Sequence, residues 1–193
     1  MNTIRSVLRP AITLVIIMTI ITGIAYPLVV TGVAKVLFPS QAAGSLIVKD
    51  GKPVGSRLIG QPFSDPKYFW SRPSATSSQP YNGLASGGSN LGPLNPALTD
   101  AVRARIAALK AADPPNRAPI PVDLVTASAS GLDPDISLAA AYYQADRIAR
   151  VRHLSLDQVR AAVAAHAKRP WLGVLSEPRV NVLELNLALD GMK

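Results

Sequence analysis

Cysteine is absent from the 193 residues. That excludes disulfides, thiolate metal sites and a cysteine nucleophile. Histidine is almost as scarce. His153 and His166 are the only two, and no carboxylate stands at metal-ligand spacing to both. They read as helix-end or surface residues. Aromatics are 5% of the chain and its basic residues are scattered. This argues against a nucleic-acid surface, despite a formal charge of +8 and a pI near 10.1. Contact with anionic lipid headgroups is the simpler use of that charge. Charge itself is missing from one place: no residue from Pro10 to Ala34 is ionisable in the ordinary range, and no acid precedes Asp50.

That uncharged run is 25 residues long. At about 1.5 Å per residue it spans roughly 38 Å, more than a hydrocarbon core of about 30 Å. Arg5 and Arg9 precede it and Lys35 ends it. The positive-inside rule then places 1–9 in the cytoplasm, 10–36 across the membrane and 40–193 outside. A signal peptide shares this orientation, but its apolar core runs only about 7–15 residues, so the segment reads as a retained anchor. Thr19, Gly23, Pro27 and Thr31 recur every four residues, with Thr22 and Tyr26 beside them. Small and hydroxylated residues on one face let a partner helix approach closely. Thr19, Gly23, Tyr26, Pro27 and Thr31 are therefore the candidate helix-packing residues. Gly23 and Pro27 would also permit a kink.

The rest of the chain carries a net +5 and predicts one α+β domain. Leu46–Val48 and Val54–Ile59 flank Asp50-Gly51, a type I′ hairpin signal. Asn95-Pro96 caps a helix whose inner face is Leu98, Val102, Ile106 and Leu109, ending before Asp113-Pro114-Pro115. Val122–Val125 predicts a short strand. Ser137 caps a helix to about His153, with Leu138, Tyr142, Ala145 and Ile148 inward. Ser155-Leu156-Asp157-Gln158 is a capping box for a helix that buries Val159 and Val163 and stops near Arg169-Pro170. At 180–189 alternating leucines suit a strand, whereas Leu/Ala content and Asn181 as N-cap favour a helix.

Ser71–Pro96 differs from its surroundings. Six Ser, four Gly, four Pro and three Asn make it rich in turn formers, and Arg72 is its one charge. Such composition suits a linker, yet Trp70 and Tyr81 lie beside and inside it, as in a loop ordered against the domain or a partner. Trp70, Arg72, Tyr81, Asn82, Ser86, Gly87, Gly88 and Asn90 are its candidate interface residues. Thr126–Gly131 is a row of small residues, a packing strip or an anion nest.

Catalytic patterns are incomplete. Ser64-Asp65-Pro66-Lys67 matches the Ser-x-x-Lys of penicillin-binding proteins, the basis of an alternative reading as a membrane-anchored extracytoplasmic hydrolase. Lys-Thr-Gly and Ser-Asp-Asn are missing, and Pro66 would break the required helix. Gly83–Gly88 has phosphate-loop glycine spacing, but Ser89-Asn90 stands where Lys-Ser/Thr is needed. The residues themselves assign no catalytic, metal or cofactor site.

Five longer stretches resemble a known family. They are Gly55–Gln61 (Gly-Ser-Arg-Leu-Ile-Gly-Gln), Tyr68–Ala75 (Tyr-Phe-Trp-Ser-Arg-Pro-Ser-Ala), Ala85–Gly92 (Ala-Ser-Gly-Gly-Ser-Asn-Leu-Gly), Val122–Asp133 and Val180–Asp190. Together they are similar to the C chain of the bacterial Kdp potassium-transporting ATPase, in order from Leu8 almost to the C-terminus. The family pattern Asp-Pro-His-Ile-Ser reads Asp133-Pro134-Asp135-Ile136-Ser137 here. The resemblance implies a non-catalytic subunit of an ATP-driven, high-affinity potassium uptake complex in the bacterial inner membrane. Its implied partners are a channel-like potassium-translocating subunit, a P-type ATP-hydrolysing subunit and a small single-helix subunit. It also implies a catalytic chaperone that raises the hydrolysing subunit's ATP affinity. ATP enters through the resemblance alone, and the outward topology opposes direct contact with it.

Overall fold

A computed structural model describes residues 2–169 and 176–192. The chain divides into two compact units, Met1–Leu46 and Ile47–Lys193.

The first unit is a run of helix. Helix α1 (Asn2–Thr19) passes through a π-helical turn (Ile20–Ala25) into α2 (Tyr26–Leu37), and a short α3 (Pro39–Ala42) follows. Ile4–Leu37 is long and apolar enough to cross a membrane. The π turn has an identifiable cause. Pro27 lacks an N–H and its ring crowds the carbonyl four residues earlier, that of Gly23. The chain widens instead, and the Tyr26 N–H donates to Ile21 O, five residues back. Thr22 Oγ1 donates to Met18 O at 2.7 Å.

The second unit is α+β. Strands β1 (Leu46–Lys49) and β2 (Lys52–Ser56) form a hairpin. Asp50 and Gly51 both hold positive φ, 52° and 74°, the geometry that a type I′ turn requires. The second strand stops at Ser56 rather than Ile59, because Ile59 N–H turns back to Ser56 O. Helix α4 (Pro96–Ala112) starts at Asn95, whose side chain accepts from Ala97 N–H. Leu109 is buried, and Val102 and Ile106 pack against the core beside it.

Val122–Leu124 is a 3-10 turn, not the predicted strand. Asp123 is drawn away from any strand partner. Its carboxylate accepts from the Ser137 backbone N–H at 2.8 Å and from the Ser137 hydroxyl at 3.2 Å. Strand β3 (Asp135–Ser137) leads directly into α5 (Leu138–Arg152), capped by Ser137. Tyr143 rather than Tyr142 turns inward on α5, alongside Ala141, Ala145 and Ile148. Successive residues on a helix lie about 100° apart, so the neighbouring tyrosine faces solvent.

Helix α6 (Leu156–His166) has the full Ser155–Gln158 capping box and buries Val159 and Val163. It ends at His166, because β4 (Ala167–Lys168) begins there; Pro170 lies outside the described residues. Strand β5 (Arg179–Asn181) runs antiparallel between β3 and β4, pairing Ile136 with Val180 and Val180 with Ala167. Helix α7 (Val182–Asp190) follows, capped by Asn181. Val182, Leu185 and Leu189 of α7 join Ile136, Ile148, Val159 and Val163 in the core.

Candidate functional site

The backbone from Gln61 to Asn95 lies in neither helix nor strand, so its polar groups must find partners elsewhere. At Phe69 and Trp70 the partners are side-chain amides. Phe69 N–H donates to Asn186 Oδ1 at 2.8 Å, and Asn186 Nδ2 donates to Phe69 O at 3.0 Å. One residue on, Trp70 N–H donates to Gln144 Oε1 at 2.8 Å and Gln144 Nε2 to Trp70 O at 3.2 Å. Both amides are buried, on α7 and α5. Each makes the pair of bonds that a neighbouring strand would make. Phe69 thus reaches the core, 0% exposed, without belonging to a sheet. Arg147 reinforces the grip by donating to Pro66 O at 2.6 Å and Tyr68 O at 3.1 Å, with its guanidinium 5.0 Å from the Trp70 ring centre. Burial lowers the Arg147 pKa to about 10, which leaves it charged at neutral pH.

Beyond Trp70 the loop lies on the strip of small residues. Arg72 pairs with Asp133 at 3.0 Å. The Tyr81 hydroxyl donates to Arg72 O, and burial pushes its pKa up to about 12. Ser74 Oγ donates to Gly131 O at 2.7 Å and accepts from Tyr81 N–H at 2.9 Å. Asn82 forms a turn by accepting from Leu84 N–H at 3.0 Å. Gly87 N–H and Ser86 Oγ both donate to Ser130 O, at 2.9 and 3.0 Å. Glycine is required where the loop meets the strip. Gly131 has φ +67°, and a Cβ there would stand 2.5 Å from Thr76 Cγ2 and 2.7 Å from Gly87 O. At Gly88 a Cβ would meet Ala129 O at 3.0 Å. Thr126–Gly131 is therefore a packing strip. Arg72, Tyr81, Ser86, Gly87 and Gly88 gather against 128–133. Trp70 turns toward α5, and Asn90 stands exposed with φ +51°.

The membrane-helix candidates sit around the π turn. Thr19 ends α1, Gly23 lies inside the turn, Tyr26 and Pro27 open α2, and Thr31 follows one turn on. A four-residue step over-rotates in an α-helix and under-rotates in the wider π turn, so crossing both keeps the stripe straight. At Gly23 an added Cβ would meet only Thr19 Cγ2, at 3.9 Å. Nothing within its own helix demands glycine there.

A family model described as the K+-transporting ATPase, c chain, matches residues 8–191. The chain belongs to that family. A protein of Polaromonas naphthalenivorans named as the potassium-transporting ATPase KdpC subunit is 67% identical over 189 residues, covering 98% of this chain and 96% of that protein. A protein of the same name from Variovorax paradoxus is 68% identical over 186 residues, covering 96% of each. One from Sorangium cellulosum is 62% identical over 186 residues, covering 96% of this chain and 98% of its own.

Two features of this family member escaped sequence reasoning. Gln144 and Asn186 organise the loop, and their signal was a polar residue among the inward-facing residues of a helix. Leu84 and Leu94 are 99% and 96% exposed, apolar side chains displayed by the loop. By contrast, Ser64–Lys67 folds as a turn rather than a helix, and Lys67 Nζ pairs with Asp65 at 3.2 Å. Asp135 pairs with Arg179 at 2.8 Å across β3 and β5. His153 ends α5 in the left-handed conformation and His166 ends α6. Among the described residues no three of His, Asp and Glu gather to hold a metal.

Proposed function

We propose that the chain is an accessory subunit that assembles and stabilises an ATP-driven potassium uptake pump of the bacterial inner membrane. The observation that carries this is the family match across 8–191. Helix 10–36 anchors the subunit and packs against the pump's membrane helices through Thr19, Gly23, Tyr26, Pro27 and Thr31. The domain 40–193 stands on the extracytoplasmic side and docks its 71–96 loop on the channel-like subunit. The hydrolysing subunit and the small single-helix subunit complete the assembly.

The loop favours scaffolding over ion coordination. The hydroxyl oxygens of Ser74, Thr76 and Ser78 already accept bonds within the loop, from Tyr81 N–H at 2.9 Å, Asn82 N–H at 3.2 Å and Asn82 Nδ2 at 3.2 Å. A net charge of +5 also repels potassium rather than funnelling it. The chaperone effect on ATP affinity fits this reading as an indirect one, passed through the assembled subunits. A hydrolase reading has no comparable support, because Lys67 is engaged by Asp65.

Mild-detergent capture of the tagged chain is the test. Co-purification of a P-type ATPase and a polytopic channel-like protein is the expected result, and recovery of the chain alone would refute the proposal. Gly23→Leu places bulk on the stripe without a clash inside its own helix. It is expected to cut recovery of the channel-like subunit several-fold.

A further inference from the structure

A cleft of about 260 Å³ opens where the 71–96 loop passes α4. Phe63, Pro73, Pro80 and Tyr81 wall it, and two arginines, Arg72 and Arg105, line it. The two cations are not equally matched. Arg72 shares Asp133. Arg105 Nη1 donates to Val125 O at 2.8 Å, and among the described residues no carboxylate pairs with it. Burial alone lowers its pKa, with no acid opposing the shift.

A guanidinium is a planar fork of five donors, and one neutral carbonyl uses a single donor. The walls cannot supply the rest. Proline and phenylalanine side chains carry no acceptor, and the two serines of the lining are engaged elsewhere: Ser71 donates to Gln61 O at 2.9 Å, and Ser74 donates to Gly131 O at 2.7 Å and accepts from Tyr81 N–H at 2.9 Å. The Tyr81 hydroxyl is already turned onto Arg72 O, and it remains a neutral phenol at physiological pH. The cleft therefore joins a surplus cation to rigid apolar walls. That combination suits a planar anion on a short apolar stem. Its volume falls below the roughly 300 Å³ at which sites for drug-sized ligands begin. A nucleotide does not fit, but one acidic side chain does.

We propose that the Arg72–Arg105 cleft receives an aspartate or glutamate side chain from another subunit of the pump, with Arg105 as its bidentate partner. This rests on the chain being a pump subunit. Arginine-to-carboxylate forks add geometry as well as charge, so the contact would fix register between the subunits.

The experiment re-associates the purified full-length chain with a pump preparation lacking it, and reads Kd at low and moderate salt. Arg105→Gln is expected to raise Kd at least about tenfold and to flatten its salt dependence. Arg105→Glu should be worse, and Arg105→Lys intermediate, since it keeps the charge but loses the fork. Glutamine is too short to reach Val125 O from position 105, so the melting temperature of each free variant is measured alongside Kd, and a tenfold loss of binding by a variant that melts as the wild type does separates binding from folding. Wild-type association with all three variants within twofold of it overturns the carboxylate receptor and leaves the subunit reading intact. Failure of the wild-type chain to associate removes the subunit reading and this inference with it. Arg105→Glu reassociating normally but losing affinity for phosphatidylglycerol vesicles would assign the cleft to lipid instead, and so overturn the proposal.

Discussion

Asn186 and Gln144 do for Phe69 and Trp70 what a β-strand would otherwise do. Asn186→Leu keeps the branched skeleton of four heavy atoms, with somewhat bulkier ends, but strands two buried backbone groups of Phe69. It is expected to destabilise the chain by about 2–4 kcal/mol, read by urea denaturation; a loss under about 0.5 kcal/mol would show that Phe69 needs no such partner. Tyr81 supplies a second residue-scale prediction through pH. Its folded pKa of about 12 lies above the unfolded value of 10.0. The folded state therefore keeps a proton that the unfolded chain loses. The stabilisation is complete below pH 10 and disappears as pH rises through 12. Arg147 works in the opposite sense, since burial depresses its folded pKa to about 10 and folding gains stability as pH rises through that value, where the folded chain gives up a proton that the unfolded chain still holds. Arg147 is common to both proteins, so comparing wild type with Tyr81→Phe isolates the tyrosine. The wild type should be the more stable by about 1 kcal/mol near neutrality, through its hydroxyl bond to Arg72 O, and that margin should close above pH 10. A margin independent of pH would remove burial as the cause of the raised pKa.

Among elements, the ones read correctly from sequence are those whose signals are local. Asn95, Ser137, Ser155 and Asn181 each cap a helix within their own first turn, and Asp50-Gly51 shapes its own hairpin. The strand expected at Val122–Val125 failed because Asp123 answers to Ser137, 14 residues away. The backbone grip on Phe69 spans 117 positions, and no local pattern announces it. The kink anticipated from Gly23 and Pro27 is a π turn, a distinction made by which carbonyl the Tyr26 N–H reaches. The 71–96 loop is likewise positioned by distant contacts, and its two anchorages are separable. Gly131→Ala forces a side chain into a left-handed backbone against Thr76 and Gly87. It is expected to cost about 2–4 kcal/mol of loop docking. Hydrogen exchange should then accelerate at the Gly87 amide, which bonds Ser130 O, while the Phe69 amide held by Asn186 stays protected. Equal acceleration at both amides would show that loop and core open as one unit.

At the scale of the whole molecule, charge distribution and sequence order together make a topological claim. Arg5 and Arg9 lie before the apolar run, and every acid lies at Asp50 or beyond. By the positive-inside rule Arg5 and Arg9 are expected in the cytoplasm and the second unit outside. The claim separates two roles for the subunit. A domain outside the membrane can brace the channel-like partner but cannot touch ATP, whereas an inward domain could reach the nucleotide and would have to carry its net +5 and its 71–96 loop there. The absence of cysteine makes the chain its own background for deciding between them. Leu84→Cys puts a thiol on a side chain that is 99% exposed and engaged in no core packing. A membrane-impermeant maleimide should label it in intact cells whose outer membrane admits the reagent. Ile4→Cys, which precedes Arg5 and Arg9, should react only after lysis. Docking of the loop on a neighbouring subunit adds a further expectation: Leu84→Cys should label more slowly in the assembled pump than in the isolated chain, because a covered leucine is what an interface would make of this exposed one. Labelling of Leu84→Cys only after lysis would reverse the topology and reopen direct ATP contact.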